Sequence, residues 1–183
     1  MAVAVSEQGL TTWSIDRAHS HVEFAVRHLM ISTVKGRFAE VSGTVRSDDA
    51  DSAKGEVDIA IDVASIDTRE AQRDAHLRSA DFFDAENFPT ISFKSRRLTD
   101  VKGDRFKIVG DLIIRGVTRE VVLDVTSEGR GKDPWGGERA GFNATTKINR
   151  SDFGLTWNQL LETGGVAVGD DVKISLDVEL VKQ

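Results

Sequence analysis

The chain has 183 residues, 39% hydrophobic and 30% charged, which suits one soluble domain able to bury about 70% of its unfolded surface. A net charge of −6, with no basic run beyond Lys94-Ser95-Arg96-Arg97, argues against a nucleic-acid partner, whose binding rests on clustered Lys and Arg. The absence of cysteine excludes disulfides and thiolate metal sites. The opening MAVAVSEQGL carries no basic segment and only four consecutive apolar residues after Met1, so it reads as neither signal peptide nor membrane anchor. The expectation is a cytoplasmic protein without stable membrane insertion, its residues 1–11 a flexible N-terminus and residues 12–183 a single domain.

Along the chain, apolar residues recur at every second position. After an extended segment and the polar turn Asp16–His21, Val22, Phe24 and Val26 form one apolar face opposite Glu23 and Arg27. The same alternation marks Val57, Ile59, Ile61 and Val63, then Ile91 and Phe93. It continues at Phe106, Ile108, Leu112 and Ile114, at Val121, Leu123 and Val125, at Phe142, Ala144 and Ile148, and from Val172 to Leu180. Short runs of this kind, separated by Gly, Asp and Ser, predict an all-β chain: an antiparallel sheet of eight to nine strands. A sheet of that size curls, and closure into a β-barrel removes its edges.

One stretch breaks the alternation. From Asp67 to Asp84, DTREAQRDAHLRSADFFD has no β-branched residue after Thr68. Asp67 is placed to cap a helix, with Glu70 three residues on as its capping-box partner. Ala71, Ala75 and Leu77 give a thin apolar stripe, and Ser79 caps a second turn carrying Phe82 and Phe83. A single helical insertion in such a chain covers one end of the barrel.

Asp16, His19 and Ser20 invite a catalytic-triad reading, but neighbours on an extended chain point to opposite faces and no Gly-x-Ser-x-Gly elbow exists. No catalytic residue is assigned; Asp16 and Ser20 read as satisfying turn backbone. His19 and His21, with His28 or His76 as a third, are too sparse for a zinc site, so no metal and no cofactor are expected. On the helix, Arg73 and His76 share a side while Asp74 is rotated away, which suits anchoring to the barrel mouth or meeting a ligand head group. Trp135-Gly136-Gly137 and Thr163–Asp170 lack the lysine of a phosphate loop and read as turns.

Phe24, Phe38, Phe93, Phe106 and Phe142 fall on inward strand phases, and Phe82, Phe83 and Phe88 follow the helix. An eight-stranded barrel is wide enough either to be filled by side chains or to hold one small ligand. Gly43, Gly110 and Ala144 on the same inward face leave room for an apolar guest.

The motifs WSIDRAHSHVEFAVRHLMISTVKGRF (13–38), SIDTREAQRDAHLRSADFFDAENFPTISFKS (65–95), GDLIIRGVTREVVLDV (110–125), GFNATTKINRSDFGL (141–155) and VGDDVKISLDVEL (168–180), in this order, resemble the YceI family over nearly the whole chain. The resemblance implies a lipocalin-like antiparallel β-barrel whose tunnel binds polyisoprenoids and related lipids. It implies non-catalytic binding, storage or transport of a long apolar chain such as an isoprenoid quinone, and a homodimer. The tunnel would then be lined by Val22, Phe24, Val26, Phe38, Phe82, Phe83, Phe88, Phe93, Phe106, Ile114 and Phe142. His19, His28, Arg73 and His76 are the rim candidates for a head group, with Trp135 shaping an entrance. The alternatives are an enzyme using a rim histidine on a lipid-like substrate, and an interaction module with a solid core.

Overall fold

The computed structural model describes residues 9–51 and 54–183. Among them, eleven strands run as β1 (Leu10–Ile15), β2 (His21–His28), β3 (Ser32–Phe38), β4 (Val41–Asp48), β5 (Glu56–Asp62), β6 (Ile66–Asp67), β7 (Thr90–Lys102), β8 (Arg105–Ile114), β9 (Val117–Lys132), β10 (Glu138–Asn149) and β11 (Val168–Lys182). One helix, α1 (Ala71–Arg78), interrupts them. Residues 1–8 of the expected N-terminal segment lie outside the described residues, whereas Leu10 and Thr11 belong to β1 and pair with Asp48 and Ser47 of β4.

All pairings are antiparallel and the wall closes, because β11 meets β10 on one side and both β1 and β2 on the other. β1 and β2 act as one kinked strand: Ile15 faces Leu180 and His21 faces Asp177, so residues 16–20 lie opposite only residues 178–179. The surplus is coiled into a short 3-10 turn, Arg17–His19. β3 and β4 follow each other in the same way along β2 and β1. The result is a closed barrel of eight strand positions, the fold that the alternation predicts.

The two halves of the interior differ. In the half bearing the β9–β10 loop and Gln183, side chains pack together. Trp13 is 2% exposed, its indole N–H donates to Ser47 Oγ at 3.1 Å, and the Arg130 guanidinium lies 5.2 Å from its ring centre. Phe106 and Phe142 meet edge to face at 6.3 Å beside buried Ala140 and Leu180. Gly43 and Gly110 leave no room for a guest, contrary to expectation. A Cβ on Gly110 would lie 2.4 Å from the Lys94 carbonyl and 2.5 Å from the Phe93 ring, and one on Gly43 would lie 2.3 Å from the Asp58 carbonyl. These glycines let neighbouring backbone and rings approach closely.

The opposite end carries α1. It starts at Ala71 with Glu70 as its cap, whose carboxylate accepts from Gln72 N–H at 3.2 Å, while Asp67 instead accepts from Arg69 N–H at 2.8 Å. Ala71 and Ala75 face solvent, and the buried helical side chain is Asp74. Its Oδ1 accepts from Thr68 N–H and Thr68 Oγ1–H at 2.9 and 2.5 Å. An apolar stripe was the wrong expectation because so short a helix is held by this buried polar anchor, which satisfies the Thr68 backbone. Leu77 alone turns its apolar side chain into the barrel.

Candidate functional site

Beneath α1 the barrel is hollow. A cavity of about 140 Å³ is bounded by side chains from β2, β3, β5, β7–β11, α1 and the segment after it. The inward phases of the strands supply its walls, with Val22, Phe24, Val26, Phe38, Phe93 and Ile114 among them. Leu77, Phe82 and Phe83 form the roof. Of the lining side chains, only Thr146 and Arg150 carry polar atoms.

Aromatic rings crowd the roof. Phe38 stands between Phe24 and Phe83 at 5.6 and 5.8 Å. Phe82, His76 and Trp157 form a second cluster, with centroids 4.6 to 5.3 Å apart. Gly36, directly opposite Phe24 across β2–β3, gives that ring its seat: a Cβ there would fall 2.4 Å from Phe24 Cζ. The Arg115 guanidinium, from the β8–β9 turn, donates to the Phe82 carbonyl at 2.8 Å and pins the roof to the wall.

Arg150 is a lining residue that the sequence reading did not single out. It continues the inward phase of Ile148 and is 5% exposed. Its guanidinium donates to the carbonyls of Gly169 (2.8 Å), Leu155 (2.7 Å), Trp157 (2.9 Å) and Val168 (3.3 Å). Burial lowers its pKa, partly offset by Asp170, whose carboxylate lies 3.7 Å away. With its donors spent on backbone, Arg150 fastens the 150–168 loop over the barrel and offers a guest little but its aliphatic stem. The available signal was a charged residue in an inward position at the end of a strand.

Three expected tunnel residues sit elsewhere. Phe106 and Phe142 belong to the packed half, while Phe88 covers Gly116 on the β8–β9 turn. The cause is shared: alternation tells inward from outward but not how deep along the axis a residue lies. The rim candidates divide between the two ends. His28, exposed at the end of β2, Arg73 and His76 lie at the α1 end. Arg73 is bound to Thr68 through Nε to Oγ1 (2.7 Å) and Nη2 to the carbonyl (2.8 Å), and His76 Nε2 is 2.8 Å from Asp81. Trp135, 84% exposed in the β9–β10 loop, and His19 belong to the opposite, packed end.

His19 and Ser20 do diverge. His19 Nδ1 is 2.9 Å from Asp16, whereas Ser20 donates to the Glu179 carbonyl and accepts from its N–H. Asp16, His19 and Glu179 bring donor atoms within 4.8 Å of one another. Arg139 already occupies that spot, with Nη1 bonded to both carboxylates and Nε to Asp133. Hydrogen bonds from His19 and then Arg139 lower the Asp16 pKa from 3.8 to about 2, and the Asp16 bond raises that of His19. The arrangement is an ion-pair network around a guanidinium, not a cation site.

Fold and site together define a lipocalin-like barrel enclosing an apolar cavity at one end. Residues 13–180 match the YceI-like domain, and the chain belongs to that family. A UPF0312 protein of Staphylococcus aureus is 40% identical over 171 residues, covering 93% of this chain and 97% of its own length. The crystal structure of BcnA from Burkholderia cenocepacia superposes with a TM-score of 0.79 at 27% identity, over 90% of this chain and 98% of BcnA. A polyisoprenoid binding domain from Saccharophagus degradans shares the fold with a TM-score of 0.67 at 16% identity, over 93% and 98% of the two chains.

Proposed function

We propose that the protein binds an apolar small molecule without chemically altering it, an isoprenoid or similar lipid entering chain-first beneath α1. The observation that carries this reading is the cavity wall, apolar apart from Thr146 and the fully engaged Arg150. None of the described histidines is among its lining residues, which counts against the enzyme alternative with a rim base. The polyisoprenoid binding domain named above, built on the same fold, supports the choice of ligand class. Carriage or storage between donor and acceptor follows from such binding.

Burying each methylene is worth about 0.8 kcal/mol, so roughly ten give a gross gain near 8 kcal/mol. That gross figure corresponds to about micromolar affinity before ordering costs are subtracted. The cavity at 140 Å³ is close to the ~150 Å³ engineered apolar cavity that stays dry and admits benzene. A longer chain therefore needs the lining side chains to repack.

The experiment is solvent extraction of protein purified from a heterologous host, with mass spectrometry, followed by fluorescence titration of the delipidated protein with a polyprenyl alcohol series. Co-purified apolar lipid and saturable quenching are expected. A lipid-free protein that also leaves every added polyprenyl compound unbound sinks the proposal.

A further inference from the structure

The turn joining β2 to β3 is built against its own residues. Ile31 N–H closes it on the His28 carbonyl at 3.1 Å, and its central residues Leu29 and Met30 have φ of +51° and +62°. Consecutive left-handed positions in a hairpin turn favour Asn and Gly, and bulky L side chains there are strained. The same residues are left in water: Met30 is 61% and Ile31 78% exposed, with Leu29 at 36%. Met30 Sδ rests on Gly165, in the loop that holds out Leu160 at 83% exposure. Strain and exposure coincide, so neither packing nor turn geometry accounts for these side chains.

Beside the tip runs a strip of cations. Across the outer wall, Lys35 of β3 and Lys173 of β11 flank Ala25 of β2, and Arg27 stands two residues nearer the tip. All three are exposed, and none forms an ion pair with a described residue. Arg27 instead donates to the Met30 carbonyl and Thr33 Oγ1. Of the neighbouring acids, Asp171 pairs with Lys147, Glu23 lies 3.8 Å from His21, and Glu162 lies on the loop beside Met30.

We propose that the β2–β3 tip docks the barrel on an anionic lipid bilayer, with Leu29, Met30 and Ile31 entering the acyl boundary and Arg27, Lys35 and Lys173 meeting the headgroups. The chemistry of the patch selects this occupant. Three like charges repel the same strip on a second copy but attract an anionic surface, and a narrow apolar tip suits insertion better than a flat protein face. Val26, two residues before His28 at the base of the turn, and Val168, paired with His28, line the cavity, so docking brings the hollow end to the lipid. Docking itself stands apart from the apolar-ligand reading, which supplies only its use.

The test is flotation of the full chain with vesicles of phosphatidylcholine containing phosphatidylglycerol, against pure phosphatidylcholine. Binding is expected to the anionic vesicles and to fall with salt. Replacing Lys35 or Lys173 by Glu should weaken it at least about fivefold each. Ile31→Asp should weaken it at least about tenfold. The pair Leu29→Asn, Met30→Gly should raise the melting temperature while weakening binding, because it relieves the turn and removes the apolar tip together. Equal binding by Ile31→Asp, no preference for anionic vesicles, or a dimer that Ile31→Asp dissociates in place of vesicle binding would each overturn the proposal. Polyprenyl quenching measured on the same variants without vesicles should be unchanged, which separates failure of docking from failure of ligand binding.

Discussion

Arg150 shows how one side chain decides whether the barrel end is closed. Its guanidinium satisfies carbonyls of Leu155, Trp157, Val168 and Gly169, and no ammonium can reach such a spread of acceptors. Arg150→Met should therefore cost about 2–4 kcal/mol in urea unfolding, with Arg150→Lys recovering little of it. A loss below about 0.5 kcal/mol would show the loop is held by Phe153 and Leu155 alone. Trp157 permits a sharper test at the ligand. It lies 5.3 Å from Phe82 of the cavity roof, whereas Trp13 is packed at the other end and Trp135 is exposed there. Quenching by a polyprenyl ligand should thus disappear in Trp157→Phe and survive in Trp135→Phe; the reverse pattern would put the ligand at the wrong end. The inward phase of Phe24 was legible from alternation, as its apolar neighbours Val22 and Val26 were. The role of Arg150 was not, because its partners come from a loop whose path no periodicity records.

The break between β1 and β2 has its own electrostatics. The turn Arg17–His19 is held by Asp16, which accepts from Ala18 N–H, His19 and Arg139, and Arg139 ties the turn to β11 through Glu179. The Asp16 pKa falls from 3.8 to about 2, so its stabilisation is complete above 3.8 and is lost as pH drops through 2. His19 has a pKa raised above 6.5, so its stabilisation is complete below 6.5 and is lost as pH rises through the raised value. The urea midpoint should be flat between 3.8 and 6.5 and fall on both sides, and Asp16→Asn should flatten both limbs. Unchanged pH slopes in that variant would remove the network as their source. Strands were the most legible elements, since period-two burial is written directly in residue type. The helix was foreseen, but its start and buried face were misplaced. A capping-box spacing at Asp67–Glu70 competes with an Asx turn of identical composition, and only the Thr68–Asp74 contact decides between them.

For the whole molecule, the division into a packed and a hollow half follows from where bulk is stacked along the axis. Phe24→Asp should abolish polyprenyl binding, with the protein still folded by near-UV dichroism; a folded variant that binds as before would place the guest outside the barrel. Closure was legible from strand number, yet depth was not: Phe93 and Phe142 share an inward phase and lie in different compartments. Trp13, lodged under Arg130 at the packed end, has one more consequence. With that base filled by side chains, the proposed guest would enter and leave by the α1 end rather than pass from one side to the other. Were the proposed binding used for carriage, collection and delivery would share that end, and exchange between two populations of vesicles should follow shuttle kinetics: parallel double-reciprocal plots for donor and acceptor rather than intersecting ones.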